Sequence, residues 1–339
     1  MKRLISLLLA LLLLGGCAPA PAQPATERTF FAMDTVMTLR LFSGGEEELL
    51  AQAEAQVREM EALWSVTDGD SEIYALNHRG TAELSPRTAE LLARALELCG
   101  RTGGALDLSI YPVLRAWGFT TGEYAIPDEA ALAALLPLVD YRRISLDGTS
   151  AALAEGMEID LGSVANGCAG DMLAAFLREK GVTSATLDLG GNIQTVGARP
   201  DGSPWRIGVR DPAGEGNLGT VEVIDRAVVT SGGYERYFEQ DGARYWHILD
   251  PATGAPARSG LASVTVVGGS GLVCDALSTA LFVLGREGAL DFWQENGQAL
   301  DFELVLVGED GSVTCTAGLE AAFTPARAGN TLFIASGDT

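Results

Sequence analysis

The chain has 339 residues, of which 47% are hydrophobic and 20% charged, so it can bury a substantial core in one large domain or two closely packed ones. Its formal net charge is −22. So acidic a composition argues against nucleic acid as a partner, because polyphosphate binding needs a basic surface patch. It leaves open the binding of a single phosphate pair through a metal ion.

The N-terminus has the layout of a bacterial export signal. Lys2 and Arg3 form a positively charged start, and the apolar run over residues 4–14 is too short for an ordinary membrane span. Leu14-Gly-Gly-Cys17 then resembles the lipobox, in which the cysteine is lipidated and becomes the first mature residue. We therefore expect a lipoprotein signal over residues 1–17, lipidation at Cys17, and an exported protein anchored to the outer face of the cytoplasmic membrane or to a periplasmic face. A plain secretory signal with a chance cysteine is the alternative.

The rest of the chain is expected to be a short tether followed by one folded domain. Residues 18–27 are rich in proline and alanine, a composition typical of a flexible, semi-extended linker, and the domain then covers residues 28–339. The four cysteines of the domain are widely spaced and include no C-x-x-C pair, which argues against a zinc site or a dense disulfide framework. Buried free thiols are expected, with one disulfide left open: Cys99, Cys168, Cys274 and Cys315.

Hydrophobic periodicity predicts a helix-rich first half and a strand-rich second half. Helices are predicted over residues 46–64, 88–99, 128–135, 166–180, 272–284 and 287–295. Strands are predicted over residues 29–41, 143–146, 151–153, 157–161, 185–189, 193–198, 205–209, 219–224, 227–230, 243–249, 263–267, 303–307, 313–316 and 331–334. Because helices and strands are segregated rather than alternating, the pattern favours an α+β fold with mostly antiparallel sheets over a doubly wound sheet.

The segment DLGSVANGCAGD, from Asp160 to Asp171, is predicted to be a strand end, a small-residue turn and a helix start. Small residues let the backbone approach a ligand closely, and the amides of a helix N-terminus favour an anion such as a pyrophosphate. On its own the pattern is weak, because most turns of this kind are simply tight turns.

Asp275 and Thr279 are four residues apart in an apolar run and therefore share one face of a predicted helix. Both offer the hard oxygen ligands that a phosphate-bound Mg²⁺ prefers. An isolated pair of this kind is more often a helix cap and a hydroxyl bonded to its own backbone. An aspartate inside so apolar a helix is nevertheless costly to bury unless it meets a cation.

His247 is one of only two histidines, and it lies in the run YWHILDPATG. A lone histidine on a strand is usually a structural residue, so its chemistry alone does not identify it as catalytic. The other histidine, His78, lies in a polar stretch and is expected to be a solvent-exposed loop residue. Asp250 is expected to start the turn that Pro251 and Gly254 complete.

Taken together, the segment VTSGGYERYFEQDGARYWHILDPATGAP and the later DALSTALFVLG resemble the FAD:protein FMN transferases, the ApbE family. Other blocks match in the family's order: AMDTVM, GALDLSIYP, DLGSVANGCAGD and the Gly190-Gly191-Asn192 turn, which we expect to be structural. The resemblance spans essentially the whole mature chain and implies an α+β architecture related to the T-fold.

The resemblance also implies an activity. Such an enzyme uses Mg²⁺ to transfer FMN from FAD to a Thr or Ser hydroxyl of an exported acceptor protein, forms a phosphoester and releases AMP. Acceptors in such systems are typically exported subunits of membrane redox complexes. The same site with water as nucleophile would make a Mg²⁺-dependent FAD pyrophosphatase, and a non-catalytic FAD-binding lipoprotein is a third alternative.

Individual site residues follow from the same resemblance. The metal ligands would be the backbone carbonyl of Ala165 and the side chains of Asp275 and Thr279. His247 would lie near the transferred phosphate, where an imidazole takes the proton of the attacking hydroxyl or orients the diphosphate. The implied FAD contacts are Met33, Ala105, Leu106, Asp107, Ser163, Asn166, Cys168 and Ile248.

Four positions depart from the family pattern. Asn166 stands where lysine is common and removes a positive charge beside the phosphates, and Cys168 stands where tyrosine is common. Thr67 replaces an aromatic residue that stacks on the flavin in many relatives, and threonine cannot stack. Asp34 replaces a glycine.

Overall fold

The structure is a computed structural model that describes residues 25–42, 47–327 and 331–335. The predicted signal, Cys17 and most of the predicted tether lie outside the described residues. The first strand begins at Thr26, so the last two residues of the predicted tether belong to the folded domain. Within the described ranges, no helix is both long enough and apolar enough to cross a membrane.

A nine-stranded sheet forms the centre of the fold, with its strands numbered here along the chain. Every neighbouring pair is antiparallel except the last, which is parallel. In sheet order the strands are β1 (Thr26–Ala32), β2 (Thr35–Leu41), β6 (Ser184–Leu189), β7 (Asn192–Gly197), β10 (Ala227–Gly232), β13 (Leu261–Gly268), β14 (Phe302–Gly308), β15 (Val313–Thr316) and β17 (Thr331–Ile334). This arrangement confirms the predicted α+β class.

Three long helices pack on one face of this sheet. They are α1 (Glu47–Trp64) against β1, α6 (Ala165–Glu179) against β6 and β7, and α7 (Gly271–Leu300) against β10, β13 and β14. α1 buries one stripe at helical spacing, which includes Leu50, Val57 and Met60. α7 breaks at Gly285, whose φ of 75° and ψ of −179° are not helical, so the two helices predicted here meet at that residue.

The central strands are buried on both faces. In β14, Leu304 and Leu306 face the helices, whereas Val305 faces a second core on the opposite side. A small sheet covers this second core and consists of β8 (Trp205–Arg210), β9 (Asn217–Val223) and β16 (Phe323–Pro325). Burial on both faces explains why these strands have continuous apolar sequences rather than an alternating pattern.

The remaining elements lie around the sheet. They are α2 (Glu72–Arg79), β3 (Thr81–Glu83), α3 (Pro86–Arg101), α4 (Tyr111–Ala116), α5 (Glu129–Leu135), β4 (Ile144–Asp147), β5 (Ser150–Leu153), β11 (Tyr237–Gln240) and β12 (Ala243–Trp246). β3, β5 and β4 form a small sheet, and β11 pairs with β12.

Three sequence-based assignments were wrong. Residues 29–41 form a hairpin rather than one strand, because Met33 and Asp34 turn the chain with φ values of 48° and 59°. Residues 157–161 are extended without forming a strand, since the Asn77 side chain, rather than a neighbouring strand, pairs with the backbone N–H and C=O of Ile159. His78 lies on α2 rather than in a loop, although it is exposed as expected.

Candidate active site

The centre of the candidate site is the crossing of α6 and α7, where two backbones touch. A Cβ added at Gly167 would lie 2.5 Å from the carbonyl carbon of Gly271 and 2.6 Å from Cβ of Asp275. Only glycine allows this approach. The Gly167 N–H donates to Oδ2 of Asp275 at 2.8 Å, so the first turn of α6 lies directly against this carboxylate.

Asp171 fixes the start of α7 against α6. Its Oδ1 accepts a hydrogen bond from the Gly271 N–H at 2.6 Å, and its Oδ2 accepts from the Ser270 hydroxyl at 2.7 Å and the Leu272 N–H at 3.1 Å. These amides would otherwise lack partners at the helix N-terminus. The last residue of the DLGSVANGCAGD segment therefore aligns the two helices.

Asp275 is a buried carboxylate and not a helix cap. Ser270 is the N-cap of α7, and Asp275 follows one turn later with 7% of its surface exposed. Burial raises the pKa of Asp275 to about 6, while hydrogen bonds from the Gly167 N–H and the Asn192 side chain oppose that rise. Burying the charged form of this carboxylate is therefore unfavourable, and a bound cation would offset that cost.

Hydroxyl groups continue from Asp275 along α7. Thr279 lies on the next turn, half-buried, with its Oγ1 3.4 Å from Oγ of Ser231 on β10. Ser231 Oγ is 2.7 Å from Oγ of Ser278, which donates back to the Asp275 carbonyl at 2.8 Å. The backbone hydrogen bond expected of a structural hydroxyl is therefore made by Ser278. Within the described part of the chain, Thr279 makes a single long contact, to the hydroxyl of Ser231.

These oxygens match the donors that Mg²⁺ prefers. The described residues contain no group of three His, Cys, Asp or Glu side chains that could hold a metal. Mg²⁺ commonly binds one or two carboxylates and takes its other ligands from water and substrate phosphates. Ala165 begins α6 two residues before Gly167, and Oδ1 of Asn166 is buried without a hydrogen-bond partner in the described part of the chain. A buried carboxylate and a hydroxyl one turn apart on α7, with an orphaned amide oxygen in the first turn of α6, fit this ion.

His247 follows directly after β12 and is held in one tautomer. Its backbone N–H donates to the Arg236 carbonyl at 3.0 Å, and its Nδ1 lies 3.2 Å from the same oxygen. Because a carbonyl only accepts, Nδ1 carries the proton, which leaves the lone pair of Nε2 available. Burial lowers the pKa of His247 to about 4, so the imidazole is neutral at neutral pH.

The β1–β2 turn connects the two parts of the site. A Cβ on Gly190 would lie 2.6 Å from Cγ2 of Thr35, so the Gly190-Gly191 turn packs against the β1–β2 hairpin. Asn192, next along that turn, hydrogen-bonds to Asp275. On the other side, Asp34 forms an ion pair with Arg236, whose carbonyl holds His247. Met33 belongs to the same turn, and its N–H donates to Oε1 of Glu61 at 2.7 Å.

The predicted FAD contacts differ in how far their side chains are already hydrogen-bonded or buried within the protein. Asp107 already accepts three hydrogen bonds, from the N–H and hydroxyl of Ser109 and the N–H of Tyr141. Its assignment to ribose or adenine therefore remains a prediction for a carboxylate that also caps a short helical turn. The other contacts range from half-buried to fully buried and likewise remain predictions: Ala105, Leu106, Ser163, Cys168 and Ile248.

Three residues that the structure brings to the site were not predicted from the sequence. Asn192 contacts Asp275, Ser231 approaches Thr279, and Arg236 positions His247. Asn192 belongs to the quoted Gly190-Gly191-Asn192 turn, and Ser231 lies on β10 in the quoted segment that begins VTSGG, but only tertiary contacts assign them to the site. The expectation of free cysteines is confirmed for Cys99, Cys168, Cys274 and Cys315, and Asp250 forms the expected turn with Gly254.

The profile of the ApbE family matches residues 33–302, which include both helices of the crossing and His247. The chain belongs to the ApbE family. An FAD:protein FMN transferase of Treponema pallidum is 34% identical over 298 residues, which cover 80% of this chain and 82% of the relative. One from Vibrio cholerae is 32% identical and covers 85% and 89% of the two chains.

Solved ApbE structures share the fold. The ApbE protein of Thermotoga maritima superposes with a TM-score of 0.82 at 29% identity, covering 88% of this chain and 99% of its own. The apo form of the flavinyl transferase ApbE of Pseudomonas stutzeri gives a TM-score of 0.79 at 31% identity, covering 88% and 96%. The ApbE similarity therefore covers almost all of the described domain.

Proposed function

We propose that this chain is an FAD:protein FMN transferase, which moves FMN from FAD to a Thr or Ser hydroxyl of an acceptor protein and releases AMP. The observation that carries the proposal is a buried carboxylate at a helix crossing, connected through the β1–β2 turn to a neutral histidine with a free Nε2. Curated relatives with this activity in their names cover most of the chain.

The metal would be held at the α6–α7 crossing. Asp275 and Thr279 would bind through their side chains and Ala165 through its backbone carbonyl, with Oδ1 of Asn166 nearby. When bound there, Mg²⁺ would neutralise charge on the phosphoryl oxygens. The rigid crossing holds the protein ligands in place before any ligand arrives, because Gly167 and Asp171 fix α6 against α7.

His247 would act on the attacking hydroxyl. Nε2 takes the proton of the acceptor Thr or Ser, the hydroxyl oxygen attacks the FMN phosphorus, and the bond from that phosphorus to the AMP oxygen breaks. A bound diphosphate would raise the low pKa of His247 towards neutrality, because a nearby negative charge favours the imidazolium form. The Arg236 carbonyl keeps Nδ1 protonated throughout and so keeps Nε2 directed to this role.

The test uses the full chain with FAD, Mg²⁺ and an acceptor domain that carries a flavinylation-type threonine. Covalent flavin fluorescence on the acceptor band of a denaturing gel, together with AMP, is the expected result. Asp275→Asn and His247→Gln should each lose the labelling. AMP and free FMN without labelling would replace the proposal with an FAD pyrophosphatase, and bound FAD without either product would replace it with a flavin carrier.

We also propose that the chain is exported and lipid-anchored through Cys17, with an exported redox-complex subunit as its acceptor. The support is the charged start, short apolar run and lipobox-like LGGC at the N-terminus. Cys17→Ala should move the protein from the membrane fraction to the soluble fraction of expressing cells. Membrane association that persists in this variant would contradict the lipid anchor.

A further inference from the structure

Arg236 connects two parts of the site through its side chain, whereas its role towards His247 uses only its backbone. The guanidinium forms an ion pair with Asp34 on the β1–β2 turn, and both side chains are largely exposed, at 50% and 75%. An ion pair so exposed to solvent contributes little to folding. Because the His247 contacts are made to the Arg236 carbonyl, they do not explain the guanidinium.

The charge of Arg236 affects the pKa of two further groups, His247 and Asp160. Burial lowers the pKa of His247, and the positive charge of Arg236 lowers it further. Burial raises the pKa of Asp160, while Arg236 opposes that rise. Asp160 lies in the turn that leads into α6, next to Gly162, whose N–H it accepts at 2.6 Å. The guanidinium, held by Asp34 on the hairpin turn, is therefore close enough to Asp160 and His247 for its charge to affect both groups.

A dianionic diphosphate bound beside these carboxylates would need a cation. Two carboxylates interact with the Arg236 charge, Asp34 in the ion pair and Asp160 in the turn before α6, in a chain whose formal net charge is −22. A guanidinium presents a planar fork of donors that matches phosphate oxygens in bidentate fashion, and such pairs are stronger than an exposed ion pair. An incoming diphosphate can therefore displace Asp34 from Arg236.

We propose that Arg236 is a phosphate-binding residue for the FAD diphosphate, and that Asp34 occupies its guanidinium when the site is empty. The inference rests on the proposed function and names a contact of that same site. Asp34 is then a competing ligand: it keeps the guanidinium directed at the site, lowers the affinity for FAD and favours release of phosphorylated product. The exchange breaks one ion pair and forms another, without covalent change.

The experiment measures FAD affinity by equilibrium dialysis of the full chain with Mg²⁺. Arg236→Gln should weaken FAD binding about tenfold, because it removes a charged phosphate contact, and Arg236→Lys should recover part of the loss. Arg244→Gln is the matched control: Arg244 lies on β12, is 45% exposed, pairs with Glu239 and stacks over Tyr237 at 4.1 Å. It should leave the FAD affinity unchanged.

Asp34→Asn tests the competition. Asparagine tolerates the φ of 59° at this position, so the turn is retained while the charge is removed. FAD should bind about threefold more tightly to this variant, and the gain should vanish in the Asp34→Asn/Arg236→Gln double variant. Riboflavin, which has no phosphate, should bind equally to the parent and to Arg236→Gln.

The outcomes separate this inference from the proposed function. An unchanged FAD affinity in Arg236→Gln, with acceptor labelling intact in the parent, would refute the phosphate contact alone. Equal losses for FAD and riboflavin would show that Arg236 is a structural residue. A gain in FAD affinity from Asp34→Asn that persists in the variant without Arg236 would refute the competition between Asp34 and the diphosphate. A parent protein that binds no FAD would overturn both proposals.

Discussion

Replacing Gly167 by alanine tests the geometry of the site most directly. The new methyl group would lie 2.5 Å from the Gly271 carbonyl carbon and 2.6 Å from Asp275 Cβ, far inside van der Waals contact. The backbone of α7 cannot rotate away as a flexible side chain would. Its start is also held by three hydrogen bonds to Asp171, so the helices must separate or bend.

Two opposing effects determine the magnitude. Alanine in place of glycine stabilises an exposed helix interior by up to about 1 kcal/mol. Forcing a methyl group into a closed contact costs about 1–3 kcal/mol and more where backbone must move. We expect a net loss of about 2 kcal/mol in the free energy of unfolding, with a misplaced Asp275 and weaker Mg²⁺ binding.

Gly170→Ala is the matched control, because it places the same methyl group on the same helix. That methyl would lie 3.4 Å from Gln194 Cβ and 3.4 Å from Leu189 Cδ1, which are side-chain contacts at ordinary distances. Its stability should be equal to the parent or higher by up to about 1 kcal/mol. Both variants are compared by urea unfolding and by the increase in thermal stability on adding Mg²⁺.

The order of the two variants in stability and in their response to Mg²⁺ is the decisive result. Gly167→Ala should unfold at lower urea than Gly170→Ala and should show less stabilisation by Mg²⁺. Equal midpoints and equal responses to Mg²⁺ would show that α6 and α7 can separate without cost. The close crossing would then not control the site.

Three further predictions concern buried or capping groups. Asp275→Asn should raise the stability of the metal-free protein at pH 8 but not at pH 4. The pKa of Asp275 is raised from 3.8 to about 6 in the folded chain, so its contribution to the stability of the parent is fully present below about pH 3.8 and lost as the pH rises through 6, whereas the neutral asparagine does not titrate. Calorimetry at both pH values checks this. The parent should lose stability between pH 6.5 and 4, because the low pKa of folded His247 makes protonation favour the unfolded chain. His247→Gln should reduce this loss by about 2 kcal/mol. Acid titrations followed by circular dichroism measure the difference. Asp171→Asn should cost about 2 kcal/mol and speed hydrogen exchange at Gly271, whose amide loses a charged acceptor.

Local patterns were enough to place most of the fold. The helices α1, α6 and α7 were predicted from their apolar spacing, and the central strands from short apolar runs. The β1–β2 hairpin was missed because Met33, the first residue of its turn, is not a usual turn residue at positive φ, so Asp34 alone did not mark a turn. The helix α2 was missed because it is short and polar, although Ser71 and Gly80 cap its two ends.

In the candidate site, too, features local in sequence were predicted and tertiary contacts were not. The spacing of Asp275 and Thr279 was visible because it is a property of one helix, and their assignment as metal ligands came from the resemblance to the ApbE family. The contacts of Asn192, Ser231 and Arg236 join strands and turns far apart in the chain, and no local period encodes them. The same limit applies to Gly167: sequence shows that glycine permits a close approach, but only the fold shows that α7 makes it.

The meeting of Gly167 and Gly271 has a consequence for the ion selectivity of the proposed metal site. A Cβ on Gly271 would in turn lie 2.5 Å from the Gly167 carbonyl oxygen, so neither helix can acquire a side chain here. The distance between the two helices is thus set by backbone contacts, and side-chain rotamer changes cannot alter it. In the proposed metal site, adjustment to an ion of larger radius would have to come from side chains such as those of Asp275 and Thr279, which makes these two positions the ones to vary in an enzyme redesigned for another divalent ion.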